Sequence, residues 1–254
     1  MRQALAIEPV FVSELQIIPT MPFTLAHPAI VLPLKKFNPR FFSITALVIG
    51  SMSPDFEYFM RMYLKSEYSH TFLGLFLFCI PVGLVVSILF HQIIRNPLIR
   101  NLPAFLQIRF AKYESFNWLL HIKKHWLAVL FSFLIGAISH VPWDQFTHPS
   151  VVFADHFPSL ASSILNIPIY KILQHGSTFL GGLFILWFIY KMPIGRKTTT
   201  INLKYWGVNI LLICIIIGIR LSVNFTTSVG NLIVIGLASS FLALLITSLW
   251  WKNI

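Results

Sequence analysis

Charge is scarce in this 254-residue sequence. Asp, Glu, Lys and Arg make up 11% of it, where a soluble domain carries about 25%. Eight acidic residues stand against 19 basic ones, 56% of the chain is hydrophobic, and the mean hydropathy is +0.77. That leaves too little polar surface to cover a water-soluble globule of this length. Cysteine is nearly absent: Cys79 and Cys214 lie in separate apolar runs, which excludes a disulfide framework and a Cys-rich zinc module. A glycine-rich phosphate loop, a Gly-x-Ser-x-Gly elbow and a His-Glu-x-x-His helix are also missing. The formal net charge of +11 would suggest nucleic acid in a soluble protein. In so apolar a chain, basic residues serve instead to fix orientation in a membrane, and no nucleic-acid partner is expected.

What is present in quantity is uninterrupted apolar sequence. About 20 apolar residues carry a helix across a bilayer. Residues 72–94 and 231–251 meet that length, the latter ending in Trp250-Trp251 at an interfacial position. Residues 206–224 form a third span with Arg220 near its end, and 126–142 and 177–190 are shorter ones. Residues 41–60 are apolar through Met52 and then meet Ser53-Pro54-Asp55-Phe56-Glu57. With six spans, fifteen Lys and Arg residues fall on one side and three on the other. This asymmetry predicts a cell-membrane protein with both termini cytoplasmic. The expected fold is an all-α polytopic membrane helix bundle of about six transmembrane helices. Residues 23–34, with Pro28 and Pro33, are too short to span. They read either as a short inserted helix packed on the bundle or as a hairpin partner of 41–55. Residues 1–20, interrupted by Glu8, Pro9, Glu14 and Pro19, are unlike a secretory signal. They read as a tail or as an extension upstream of a start at Met21. Residues 21–190 hold the chemistry-bearing segments, and 191–254 supply two C-terminal transmembrane helices.

Ionisable groups near a membrane span are rare and mark function. His140 and Asp144 are four apart and share a helix face, a spacing that lets imidazole and carboxylate ligate one ion. Pro142 between them interrupts the backbone bonding, so His148 is expected to diverge from that line. The six-span topology carries Asp55, Glu57, His70, His140, Asp144 and His175 to the same membrane face, where helix ends can assemble a metal site. His27 joins that face only if 23–34 is an inserted helix. His121 and His125, beside Lys123 and Lys124, read as solvated, and His91 as interfacial.

Several of these segments together resemble a bacterial multi-pass membrane family of unknown function. They are Met21-Pro22-Phe23-Thr24-Leu25-Ala26-His27-Pro28, the run from Ile49 through Ser53-Pro54-Asp55-Phe56-Glu57 to Tyr58, Ser69-His70-Thr71, Gly136-Ala137-Ile138-Ser139-His140 with Asp144 and Thr147-His148, and Gln174-His175-Gly176-Ser177. The likeness covers most of residues 21–190. More distantly, the order His, Pro-Asp, His, Ser-His-x-x-x-Asp is similar to membrane-bound metal-dependent hydrolases and to the all-helical zinc-dependent phospholipase C type. That resemblance implies His27, Asp55, His70, His140 and Asp144 as metal ligands, with His175 as a further candidate. The chain departs from those hydrolases in having Glu57 where a second acid is common, and Tyr68-Ser69 before His70.

The leading expectation is therefore a metal-dependent hydrolase acting at the membrane surface on a lipid or phosphoester substrate. Its cofactor would be a divalent ion, zinc by donor type. Glu57 or His148 would orient water or act as general base. The alternative is a non-enzymatic scaffold with a structural metal, or a transporter. Polar groups near one face rather than at mid-membrane count against the transporter. The sequence leaves the oligomeric state open.

Overall fold

The structure, a computed structural model, describes residues 24–34, 41–147, 162–195 and 200–251. It is an all-α bundle. A 3₁₀ turn at Thr24–Ala26 leads into α1 (Pro28–Val31). Next come α2 (Ile44–Met52), a 3₁₀ turn at Ser53–Asp55, and α3 (Phe56–Arg61). The continuous helix α4 (Phe72–Asn101) contains π-helical turns at Leu75–Cys79 and Phe90–Ile94. It is followed by α5 (Ala104–Phe110), α6 (Trp118–Thr147), α7 (Ile169–Tyr190), α8 (Leu203–Val223) and α9 (Val229–Trp251). The β-structure among the described residues is one two-residue ladder, Ser163–Ile164 with Ile167–Pro168.

Among the described residues, five helices (α4 and α6 to α9) are long and apolar enough to cross a membrane. The sixth expected span takes a different form. Residues 44–61 are helical throughout but in three pieces, and Asp55, Glu57 and Arg61 make the segment too charged to count as a lipid-facing span. Pro54 sets the break. It has no N–H to give to the carbonyl of Gly50, and the Ser53 hydroxyl takes that acceptor instead, at 2.8 Å. The segment is wrapped by protein: Ala46, Leu47, Ser51, Ser53 and Asp55 are all inaccessible to solvent.

The wrapping is tightest against α6. A Cβ on Gly136 would lie 2.6 Å from the Ser51 nitrogen and 2.7 Å from the Leu47 oxygen, and one on Gly50 would lie 2.5 Å from the Phe133 oxygen. The two backbones therefore touch, as small residues allow in membrane bundles. Phe133 and Val129 continue the seam with Ala46 and Ile49. The kink in α6 falls at His125, which leaves the helical region (φ −132°, ψ 35°), and not at Pro142.

Partner residues place α6 parallel to α2 and α4 antiparallel to both. At one end the Ser43 N–H meets the Ser132 hydroxyl and Thr45 meets His91; at the other, the Ser51 carbonyl meets His140 and Cys79 meets the Ser69 carbonyl. The basic segments lie at the first end. There Arg95 donates to the carbonyls of Glu114 and Phe116, Arg109 donates to that of Tyr190, and Asn101 accepts from the Asn202 N–H. His91, expected to be interfacial, is buried at that end, between Thr45 and Arg95 and stacked on Trp118. The short connections 62–71 and 224–228 share the opposite end, where Arg220 donates to the Met62 carbonyl and the Leu64 N–H donates to Asn231.

Helix α1 is a short inserted helix. It packs on α2, α6 and α7, and Ala26 and Ala29 lie against Gly181 of α7. It brings His27 to the end of the bundle that carries Asp144.

Candidate metal centre

Four side chains from three stretches of chain converge beneath the loop that joins α3 to α4. Asp55 comes from the 3₁₀ turn, His70 from the loop, and His140 and Asp144 from one face of α6. One donor atom from each lies within 4.8 Å of all the others. His140 Nε2 is 3.1 Å from Asp144 Oδ2 and 3.3 Å from Asp55 Oδ1. His70 Nε2 is 3.6 Å from Asp55 Oδ1 and 3.7 Å from Asp144 Oδ2. Donors bound to one tetrahedral zinc at ~2.0–2.1 Å stand ~3.3–3.4 Å apart, so these separations bracket the edges of such a shell. Asp55 and His140 are fully buried, while the side chains of His70 and Asp144 are 24% and 13% exposed and form the open edge.

The surrounding bonds turn the donors inward. His140 Nδ1 lies 2.7 Å from the Ser51 carbonyl and must donate its proton there, so Nε2 of the neutral ring carries a lone pair. That lone pair faces two carboxylates. His70 Nδ1 lies 2.9 Å from the Ser66 hydroxyl, which is itself 3.1 Å from Glu57 Oε2. If Ser66 donates to the carboxylate it accepts from Nδ1–H, again leaving Nε2 bare. The Thr24 hydroxyl donates to Asp55 Oδ2. Asp55 Oδ1 and His70 Nε2 are buried without a hydrogen-bond partner. Two buried carboxylates facing bare imidazole nitrogens repel unless protons or a metal cation lie between them, because burying unneutralised charge costs several kcal/mol per ion. Burial works against a charged His70, but the Asp144 and Asp55 carboxylates facing its ring outweigh it and raise its pKa above 6.5.

His27 lies at the rim of this group. Its Nε2 is 3.1 Å from Asp144 Oδ1, its Nδ1 is 3.3 Å from the Thr24 carbonyl, and its ring stacks on His140 at 4.0 Å between centroids. Glu57 faces the loop. Its Oε1 accepts from Arg61 and the Glu67 N–H, and its Oε2 from Ser66 and the Tyr68 and Ser69 N–H groups. His175 is exposed on α7, one residue after the buried Gln174, and is not in the four-residue group. His148, like residues 1–20, lies outside the described residues.

Residues 21–249 match the family model described as Domain of unknown function (DUF4184). The chain belongs to that family. The DUF4184 match takes in α1 to α8 and nearly all of α9, so the C-terminal pair is inside the family region together with the centre. No curated protein and no solved structure matches the chain.

Sequence reasoning missed the partners that aim these donors. Thr24 stands 31 residues from Asp55, and nothing local couples them. The Ser51 contact is made by a backbone carbonyl, which no side-chain pattern records. Ser66 and His70 lie in a non-helical loop, where a separation of four residues predicts no contact.

Proposed function

We propose that this DUF4184 protein is a multi-pass membrane protein that holds one divalent cation between Asp55, His70, His140 and Asp144. Two imidazoles and two carboxylates suit zinc. The observation that carries this reading is the orphaned pair Asp55 Oδ1 and His70 Nε2, buried and aimed into a group of four donors that all lie within 4.8 Å of one another. Bound there, such an ion would act as a Lewis acid and let water react at neutral pH. The chemistry we assign is hydrolysis of a phosphoester or lipid-derived bond, entered along the His70–Asp144 edge. His27 orients Asp144. We assign Glu57 a positioning role in place of the general base expected from sequence, because both its oxygens are committed to donors and it reaches the centre indirectly, through Ser66 and Ser69 to His70. The basic residues gathered at the other end of the bundle support a cytoplasmic assignment for that end and an outer one for the centre.

The donor count favours one competing reading. Four protein ligands close a tetrahedral shell, as in structural zinc sites, and such an ion would tie α6 to the loop and the 3₁₀ turn. Chelator-stripped protein titrated with zinc tests both. Metal-dependent thermal stabilisation that disappears in Asp144→Asn supports the centre, and its absence in the wild type rejects it. Zinc-dependent turnover of p-nitrophenyl phosphate supports hydrolysis; stabilisation without turnover of this or a phospholipid substrate supports the structural ion.

A further inference from the structure

The basic end of the bundle carries an open cleft of about 960 Å³ between the end of α4, the segment leading into α8, and the end of α9. Its walls include Arg100, Lys204, Gln92, Asn96, Asn202 and Trp251, and among the described residues no Asp or Glu lines it. An adjoining cleft of about 600 Å³ shares His91, Gln92 and Asn96 with it and adds Arg95 and Lys123. Among the described residues the carboxylate there is Glu114, which Arg100 holds at 3.0 Å. The π-helical turn Phe90–Ile94 contributes His91, Gln92 and Ile93 to the wall. Such turns recur at functional sites. A cleft of this size with cationic and amide donors but no carboxylate suits a phosphate-bearing ligand. Its depth narrows the choice. It opens where three apolar helices end and Trp251 sits, the level of lipid headgroups.

We propose that this cleft binds the phosphate headgroup of an anionic phospholipid, held by Arg100 and Lys204 with the surrounding amides. The site is about a helix length from the candidate metal centre and independent of it.

The test uses the full chain in nanodiscs of phosphatidylcholine containing one fifth phosphatidylglycerol. After extraction into mild detergent, retained lipid is counted by native mass spectrometry. The wild type should retain phosphatidylglycerol over phosphatidylcholine. Lys204→Gln should lower that preference about fivefold, as expected for one headgroup-level cation, and Arg100→Gln with Lys204→Gln should lower it further. Lys65→Gln, the same charge change at the opposite end, should leave it unchanged. Lys204 is exposed, so its variant is expected to fold; a matching thermal transition checks this. Added inorganic phosphate separates the two sources of the same chemistry. Retention that survives it marks a lipid, whereas displacement by it without lipid preference assigns the cleft to a soluble phosphate and overturns the lipid proposal. Equal retention of both lipids, or an equal loss in Lys65→Gln, overturns it as well.

Discussion

Gly136→Ala is the smallest change that should damage both the bundle and the centre. The new Cβ meets the Ser51 nitrogen at 2.6 Å, the Leu47 oxygen at 2.7 Å and the Gly50 carbonyl carbon at 2.8 Å. All three are backbone atoms, so no side chain can swing aside. Restoring ordinary contact at 3.4 Å requires α2 and α6 to part by about 0.6–0.8 Å along these vectors. Overpacking of this kind costs about 1–3 kcal/mol. The displacement acts on the centre because Asp55 follows α2 and His140 and Asp144 ride on α6. A metal site tolerates errors of about 0.5 Å, so zinc affinity should fall at least about tenfold. Thermal unfolding in detergent and zinc titration by calorimetry measure the two effects. Gly182→Ala is the control: its Cβ meets nothing within 4 Å, and alanine favours helix. If Gly136→Ala melts and binds zinc like the wild type while Gly182→Ala does too, the helix contact is not as close as described.

Three further outcomes follow from the same structure. Glu57→Gln puts an amide donor among groups that already donate, so the loop should loosen and zinc affinity drop about 10–100-fold; Ser66→Ala should do the same with less loss of stability. Altered visible spectra of the cobalt-substituted variants would mark a change at His70, and unaltered spectra would remove the positioning role. Thr24→Val leaves Asp55 Oδ2 buried without its donor and should cost about 1–3 kcal/mol, read from the melting transition. The pH dependence should differ in sign between the two forms. In metal-free protein the raised pKa of His70 adds stability below pH 6.5 that is lost as pH climbs through the folded value. Zinc must displace that proton, so the zinc-induced shift in melting temperature should grow over the same climb. A zinc-induced shift that is flat across neutral pH would contradict proton displacement from His70.

The helices were legible because a membrane span needs only length and apolarity, and α4, α8 and α9 have both in plain sequence. The pairing of His140 with Asp144 was legible from helical spacing, and the meeting of Asp55 and His70 with them from assigning connections to alternate faces. Hydropathy could not distinguish a segment facing lipid from one wrapped by protein, so residues 41–60 counted as a sixth span although their apolar run stops at Met52. The same blindness applies around a helix axis: on α7 the turn from Gln174 to His175 separates a buried side chain from an exposed one. Glu57 looked catalytic because an acid beside Asp55 is conspicuous. Three of its partners are backbone N–H groups of residues 67–69, which sequence spacing does not reveal.

The most direct measurement is elemental analysis of the protein purified in detergent without chelator, beside Asp55→Asn and His140→Ala variants shown to fold by their melting transitions. One divalent ion per chain in the wild type, and far less in both variants, is expected. Metal-free wild-type protein that takes up no zinc on titration, or variants that hold as much as the wild type, would mean that these four side chains do not form a metal centre.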